Sequence, residues 1–232
     1  MAKPAGSIRA RVRAEMIDEI KIIARRHLAT DGANLSLRAV ARDMGMVSSA
    51  IYRYFPSRDD LLTALIIDAY NEIGAAAEAG DASVDHRTDL RGRFVATAAA
   101  IRRWALAKPA EYALLYGSPV PGYVAPMDTT AAAVRTPLVL IQILADGFAA
   151  GTLTATTGAL PDAVRADLVR TADQIAPGLP PEILMRGMTG WIHLFGAVSF
   201  ELFGQLNNVI EARTEYFDRQ IDDMADLIGL PG

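Results

Sequence analysis

Apolar residues recur at spacings of three and four along nearly the whole chain, and this periodicity restricts the possible folds more than any other feature. Such spacing places apolar side chains on one face of an α-helix, whereas a half-buried strand needs alternating apolar and polar residues. β-Branched and aromatic residues rarely alternate with polar ones here. The sequence therefore predicts an all-α fold.

The composition excludes several functional classes. Of the 232 residues, 51% are hydrophobic and 22% are charged, which suffices for a substantial core and argues against global disorder. The absence of cysteine rules out disulfide scaffolds, cysteine-ligated metals and thiol catalysis, and it is typical of a reducing compartment. Because His27, His86 and His193 lie far apart in sequence, we expect no metal site and no other cofactor.

The sequence also lacks membrane and export signals. No apolar run approaches the roughly 18 residues that a membrane span needs. Residues 1–16 carry no apolar segment behind their charges, which is not the pattern of a secretory signal. We therefore expect a cytoplasmic protein that does not insert into a membrane.

The charge is polarised along the chain, although the net charge is only -4. Residues 1–58 carry 11 Lys and Arg against 5 Asp and Glu, whereas residues 59–232 carry 12 against 22. A basic segment on an acidic body is typical of a protein in which one part touches a polyanion. Chance clustering of surface arginines gives the same pattern, so charge alone leaves both interpretations open.

Four N-terminal helices are predicted from capping and breaking residues. Gly32 ends the first helix, and Gly45 separates two short ones. Ser57 and Asp60 have the spacing of a capping box, which opens the fourth. The predicted helices cover residues 7–30, 37–44, 48–55 and 57–78. The apolar face of the first consists of Val12, Met16, Ile20, Ile23 and Leu28.

Six further helices are predicted after residue 86. The segment 117–126 contains three prolines and two glycines and cannot form regular structure. Pro137 falls inside an apolar stretch, where it kinks the helix unless the helix begins there. Five of the predicted helices cover residues 87–107, 127–150, 161–175, 181–204 and 208–228. A short one after the break at Lys108 and Pro109 carries Tyr112, Leu115 and Tyr116.

The helix over residues 181–204 is apolar around nearly its whole circumference, so both of its faces need to be buried. In so small a chain, the second face is predicted to meet another subunit, with a core helix of a monomer as the alternative. The last helix carries a single apolar stripe beside it. The predicted dimer interface consists of His193, Phe200, Gly204, Phe217 and Ile221.

Residues 36–55 have the pattern of a helix-turn-helix. The tight turn at Gly45 needs glycine's backbone freedom, and Val40, Ala41 and Ile51 are expected to form a small common core. The second helix is then free to enter the major groove of DNA. Ser36 and Ser48 stand at helix starts, where backbone N–H groups favour phosphate.

The run MGMVSSAIYRYFPSRDDL, residues 44–61, closely resembles the DNA-binding signature of the tetracycline-repressor (TetR) family. Ala50 stands where glycine or proline is commoner, and Arg58 stands where lysine is usual. Arg58 carries the same positive charge as the usual lysine, and Ala50 is small enough to fit where glycine or proline is commoner. Neither departure therefore opposes the resemblance. The residues that match in register are Val47, Ser48, Ile51, Tyr52, Tyr54, Phe55 and Leu61.

The C-terminal part resembles a branch of the same family that is named for a Trp-His-Gly pattern in its penultimate helix. The similar segments are residues 116–126 and 190–205, and Trp191 and Gly196 match the pattern. Phe195 occupies the usual histidine position. His193 lies about 200° further round the helix and cannot replace that histidine on the same face.

The resemblance implies an all-helical homodimer with a DNA-binding helix-turn-helix domain over residues 1–57 and a ligand-binding and dimerisation domain over residues 58–232. It implies a repressor that a small-molecule effector releases from double-stranded DNA with a palindromic operator. Recognition helices in adjacent major grooves are about 34–36 Å apart. The implied DNA-binding residues are Ser36, Arg38, Ser48, Ser49, Tyr52, Arg53, Tyr54 and Arg58. The basic residues that either reach DNA or form a solvated terminus are Lys3, Arg9, Arg11 and Arg13.

The resemblance also implies an effector cavity among the C-terminal helices. Gln142 interrupts the apolar run LVLIQILA, and a polar group among apolar ones often orients a ligand. We therefore expect a mainly apolar ligand, with ordinary core packing as the alternative for each aromatic residue. The candidate ligand-binding residues are Trp104, Tyr112, Tyr116, Gln142, Phe148, Trp191 and Phe195.

Three other functions were weighed against a ligand-controlled repressor. An activator, or a regulator controlled by a protein partner, has the same sequence features. An all-helical enzyme needs a nucleophile–base pair or a metal set, and the sequence offers neither, so we predict no catalytic residues. A structural helical dimer without a DNA role would make the helix-turn-helix incidental.

Overall fold

A computed structural model describes residues 5–32, 35–155 and 158–231, and within these residues the fold consists of α-helices and short 3₁₀ turns without a strand. The predicted all-α fold is confirmed. The ten helices are α1 (Ala5–Asp31), α2 (Leu37–Asp43), α3 (Arg58–Ala82), α4 (Leu90–Ala107), α5 (Pro109–Tyr116), α6 (Thr130–Ala133), α7 (Arg135–Ala149), α8 (Asp162–Ile175), α9 (Pro181–Leu202) and α10 (Arg213–Ile228).

The N-terminal compact unit contains Met1–Tyr70 and Lys108–Ala131. Its core lies between α1, α2, the turn that follows α2, and the first half of α3. Val40, Ala41 and Ile51 are completely buried there, as predicted for the helix-turn-helix. This core fixes the backbone from which the polar side chains of the helix-turn-helix project.

The C-terminal compact unit contains Asn71–Ala107 and Ala132–Gly232. Helices α4, α7, α9 and α10 pack against one another, and α8 packs on α9. Helices α3 and α4 are in close contact at Gly80, where an added Cβ atom would lie 2.7 Å from the carbonyl oxygen of Ala96. The predicted boundary between residues 57 and 58 divides the chain by function, whereas these compact units divide it by contacts. That boundary stays a prediction.

Several predicted helix ends are confirmed by their capping contacts. The Ala39 N–H donates to Ser36 Oγ at 3.4 Å, and the Asp60 N–H donates to Ser57 Oγ at 3.1 Å. The Ser57 hydroxyl donates in turn to Asp60 Oδ2 at 2.7 Å, which completes the capping box. Gly45 adopts a φ of +67°, which residues with a Cβ rarely adopt, so the turn requires glycine.

Two predicted helix starts were wrong, and one of the five residues of the predicted apolar face of α1 is exposed. The helix predicted over 87–107 begins at Leu90, because Asp89 caps it by accepting from the Gly92 N–H at 2.7 Å. The last helix begins at Arg213 rather than at residue 208. Val12 is 49% exposed, since α1 contacts the core only from Met16 onward.

The segment predicted as a helix over residues 48–55 is more irregular than expected. Residues 48–50 form a turn, and only Ile51–Arg53 form a 3₁₀ helix. The N–H groups of Ala50, Arg53 and Tyr54 donate to carbonyls three residues earlier, a pattern of short 3₁₀ turns. Ser48 therefore does not cap an α-helix here.

The helix predicted over residues 127–150 is broken into a 3₁₀ turn, α6 and α7. The break falls at Val134, next to Ala133, whose carbonyl would accept from residue 137 in a continuous helix. Pro137 has no N–H to donate, which explains the position of the break. Among the described residues, no single helix has the length and apolar composition of a membrane span, although α6 and α7 pass that test when they are taken together with Met127–Thr129.

Candidate functional site

The helix-turn-helix presents polar side chains on a packed core. Ser36 and Arg38 are exposed at the start of α2. Across the Gly45 turn, Ser48, Ser49 and Arg53 are exposed, and Tyr52 is 43% exposed. All six of these side chains lie outside the core, and they include two guanidinium groups and several hydroxyls. Such groups bind phosphate oxygens and base edges.

Tyr54 and Arg58 are less available than predicted. The guanidinium of Arg13 lies 5.2 Å from the centre of the Tyr54 ring, and Tyr54 is half-buried beside the N-terminal core. Arg58 is half-buried and lies 3.4 Å from Asp59. Both side chains are therefore only partly exposed to a bound molecule.

The basic N-terminal residues that the structure describes belong to α1 and not to an extended arm. Arg11 lies 3.5 Å from Glu15, one helical turn further along, and Arg13 packs on Tyr54. Arg9 is exposed. Lys3 lies outside the described residues.

Tyr112 and Tyr116, two of the predicted ligand-binding residues, pack with Tyr70 in the N-terminal unit. The ring centres of Tyr112 and Tyr116 are 5.0 Å apart, and those of Tyr70 and Tyr116 are 6.3 Å apart. Burial raises the pKa of Tyr70 and of Tyr116, so both phenols remain protonated. Tyr112 is completely buried, which corresponds to the core-packing alternative.

Gln142 and Phe148 lie together in a groove of about 700 Å³ in the C-terminal unit. One wall is the outer side of α7, and the other is the connection between α8 and α9, from Ile175 to Leu179. We call this the α7 groove. Phe148 is 38% exposed and Leu138 is 37% exposed, so apolar surface faces the open space. The groove can therefore bury an apolar molecule.

The other predicted ligand residues of the C-terminal unit lie elsewhere. Trp191 lines a small apolar cavity of about 40 Å³ between α7 and α9, and its ring meets that of Phe195 edge-on at 6.0 Å. Trp104 is 8% exposed and borders a separate groove between α3 and α4. The predicted ligand-binding residues therefore lie in several separate places, because aromatic character does not indicate which side of a helix is open.

Arg93 and Asp146 are polar residues that sequence reasoning missed. Arg93 is 1% exposed and donates at 2.7 Å to both Asp81 Oδ1 and Asp146 Oδ2. Burial opposes the charge of both Arg93 and Asp81, but their mutual hydrogen bonds outweigh it, raising the pKa of Arg93 and lowering the pKa of Asp81. A lone arginine on a helix gives no sequence signal, because most arginines are exposed.

The predicted dimer surface is partly corrected. Phe217 is 3% exposed and Ile221 is 1% exposed within a single chain, so neither offers surface to a second one. The Arg102 guanidinium lies 5.0 Å from the Phe217 ring and holds Glu201 by two hydrogen bonds of 2.7 Å, which joins α4, α9 and α10. The apolar stripe on α10 therefore packs in the core of its own chain.

An exposed apolar surface remains on the opposite side of α9 and just after it. Ile192 is 65% exposed, Phe200 is 56% exposed and Phe203 is 42% exposed. His193 and Gly204 are half-buried beside them. Among the described residues, no group of three or more His, Asp or Glu side chains could hold a metal ion.

Two family models match successive segments of the chain, one over the helix-turn-helix and one over the C-terminal helices. The model of "Bacterial regulatory proteins, tetR family" matches residues 23–65, and that of "Tetracyclin repressor-like, C-terminal domain" matches residues 94–224. The HTH-type transcriptional regulator Rv1816 of Mycobacterium tuberculosis (strain ATCC 25618 / H37Rv) is 40% identical over 193 residues, which cover 81% of each chain. The chain belongs to the TetR family. Its helix-turn-helix is accordingly the DNA-binding element of a TetR-family transcriptional regulator.

Two further comparisons agree with this membership. The HTH-type transcriptional regulator Mb1846 of Mycobacterium bovis (strain ATCC BAA-935 / AF2122/97) is also 40% identical over 193 residues, again 81% of each chain. The crystal structure of SCO4313, described as a regulatory protein, superposes with a TM-score of 0.77 at 36% identity, covering 97% of this chain and 100% of that one. The TetR-family fold therefore extends over both compact units.

Proposed function

We propose that this TetR-family regulator is a repressor that binds a palindromic operator as a homodimer and is released by a small, mainly apolar effector. The observation that carries the DNA-binding part is the exposed polar surface of the helix-turn-helix around Tyr52, held on a completely buried core. Its basic and hydroxyl groups suit phosphate and base contacts. The acidic remainder of the chain favours contact through this surface alone.

The homodimer is supported by the exposed apolar residues on α9. Monomeric proteins rarely leave several large apolar side chains together in water, and such patches commonly mark protein interfaces. Two copies related by a twofold axis would present two helix-turn-helix units, which matches a palindromic operator. The proposed interface is centred on Phe200 and includes His193 and Gly204.

The effector part of the proposal is supported by the α7 groove. A volume of about 700 Å³ lies in the range of small-molecule sites. For the effector to weaken DNA binding about 100-fold, it has to favour the conformation that does not bind DNA by roughly 2.7 kcal/mol. The proposed effector residues are Gln142 and Phe148, which share the groove.

The DNA-binding proposal is tested with duplex DNA from upstream of the protein's own coding region, or with a duplex selected from a random pool. Tyr52→Ala removes an exposed side chain and leaves the buried core intact, so we expect folded protein with at least about tenfold weaker specific binding. Leu106→Ala, at a residue that is 42% exposed in α4, is the matched control and is expected to bind like the wild type.

The outcomes separate the alternatives. Enrichment of no palindrome by folded wild-type protein would contradict the proposal, as would equal binding by Tyr52→Ala. Binding with the salt dependence of phosphate contacts is expected. A reporter gene under the selected operator then decides the sign of regulation: higher expression without the protein supports a repressor, and lower expression supports an activator.

A further inference from the structure

The polar end of the α7 groove is formed by two side chains one helical turn apart. Gln142 Nε2 donates to Asp146 Oδ1 at 2.7 Å. Arg93 donates to the other oxygen of the same carboxylate, Oδ2, also at 2.7 Å. Asp146 is thus held from both sides, while 40% of its side chain stays exposed.

Arg93 cannot easily move to release this carboxylate. It is 1% exposed and donates further hydrogen bonds to Asp81 Oδ1 at 2.7 Å and to the Arg87 carbonyl at 3.1 Å. Asp81 is itself paired with Arg87. The four charges of this cluster balance, so the groove carries no net charge that would select a strongly charged ligand.

The arrangement fixes the direction of the Gln142 amide. A carboxylate oxygen accepts hydrogen bonds and does not donate them, so the NH₂ group of Gln142 faces Asp146. The carbonyl oxygen of Gln142 then points away from Asp146, and no described residue donates a hydrogen bond to it. The groove therefore offers two oxygen acceptors, Gln142 Oε1 and the exposed edge of Asp146.

The groove is unsuited to an anion. The second N–H of the Gln142 amide lies on the nitrogen that is 2.7 Å from the Asp146 carboxylate, where a negative ligand group is repelled. The remaining side chains that line the groove are apolar, including Leu138, Ile141 and Phe148. Its chemistry is that of an apolar pocket with acceptors at one end.

We propose that the α7 groove selects a neutral, mainly apolar molecule whose hydroxyl group donates a hydrogen bond to Gln142 Oε1. Gln142 is the specificity-determining residue, since Asp146 and Arg93 orient its amide. The inference rests on the effector role proposed for this groove, but it concerns binding by the protein without DNA. It can therefore be tested apart from operator release.

Three compounds with one naphthalene body test the preference at pH 7: 2-naphthol, 2-methoxynaphthalene and 2-naphthoate. Calorimetric titration of the full-length protein is expected to give a dissociation constant for 2-naphthol about fivefold below that for the methyl ether, the size of one net hydrogen bond. The carboxylate is expected to bind most weakly. Ala145→Trp, which fills the groove, is expected to abolish binding of all three.

Gln142→Leu is expected to remove the preference for 2-naphthol over the methyl ether while retaining binding of both. The same change at an exposed glutamine outside the groove, Gln205→Leu, is expected to keep the wild-type preference. Equal binding of naphthol and methyl ether by the wild type, a preference unchanged in Gln142→Leu, or no binding of any compound would overturn the inference. Operator binding measured on the same preparation shows independently whether the DNA-binding proposal holds.

Discussion

At the scale of single residues, burial alternates sharply within the helix-turn-helix. Ile51 is completely buried, while Val47, four residues earlier, is 72% exposed. Both are β-branched apolar residues in the segment after the Gly45 turn. Their different surroundings make them a matched pair for separating core stability from surface effects.

Ile51→Ala is expected to lower the free energy of unfolding by about 3 kcal/mol, because it removes buried methyl groups and leaves a cavity. Val47→Ala, at an exposed site, is expected to change it by less than about 0.5 kcal/mol. Urea denaturation followed by circular dichroism measures both. Similar losses in the two variants would show that the segment is not packed as described.

At the scale of helices, Arg135 joins α7 to α3. Its Nε and NH2 atoms donate to the two carboxylate oxygens of Glu78 at 2.9 and 2.6 Å, and NH1 donates to Asn71 Oδ1 at 2.9 Å. A Cβ atom at Gly74 would lie 2.8 Å from Arg135 Cβ, so glycine permits the close approach. The hydrogen bond from Arg135 lowers the pKa of Glu78 below its ordinary value of 4.5.

Arg135→Met is expected to lower the melting temperature by about 2–4 °C at pH 7, corresponding to roughly 1 kcal/mol. A carboxyl group whose pKa is lowered by folding stabilises the fold above its unfolded pKa, and this contribution is lost as the pH falls below 4.5. The difference between wild type and variant should therefore shrink near pH about 3.5.

Arg170→Met provides the control, because within the described part of the chain Arg170 pairs only with Asp167 on α8, and both side chains are about two-thirds exposed. Scanning calorimetry at both pH values should show little change for this variant. A pH-independent loss in Arg135→Met would mean that packing of its side chain, and not the ion pair, joins the two helices.

At the scale of the whole molecule, the exposed apolar residues after the middle of α9 form the surface that we propose as the dimer interface. Phe200 is the more exposed of the two phenylalanines on this surface, at 56% against 42% for Phe203. Burial of this side chain between two copies would remove apolar surface from water, and this would favour association. In the proposed dimer, specific operator binding would depend on association, because each copy would contribute one half-site contact.

Phe200→Glu is expected to convert the dimer to a monomer and to weaken binding to a full palindrome more than binding to a half-site. Light scattering after size-exclusion chromatography measures the mass, and duplex titration measures the binding. Leu106→Glu places the same charge at an exposed leucine of α4 and should remain dimeric. A dimeric Phe200→Glu variant would exclude this surface as the interface.

Local structure and family membership could be predicted from the amino-acid sequence alone. Periodicity identified the helices, Ser57 and Asp60 marked the start of α3, and Gly45 marked the turn, because these signals act through neighbouring backbone groups. The run around Tyr52 identified the DNA-binding element for the same reason: its residues are contiguous. The irregular geometry of residues 48–53 was missed, since a helical pattern does not distinguish α from 3₁₀ turns.

Long-range contacts determine which helix faces are covered within the chain and which polar groups meet, and the sequence pattern does not reveal them. Phe217 and Ile221 have the pattern of an interface stripe, but their partners are in the same chain. Arg93 meets Asp81 and Asp146 across three helices, over separations of 12 and 53 residues. Periodicity shows that a helix has an apolar face without showing what covers it, because the covering residues are distant in sequence.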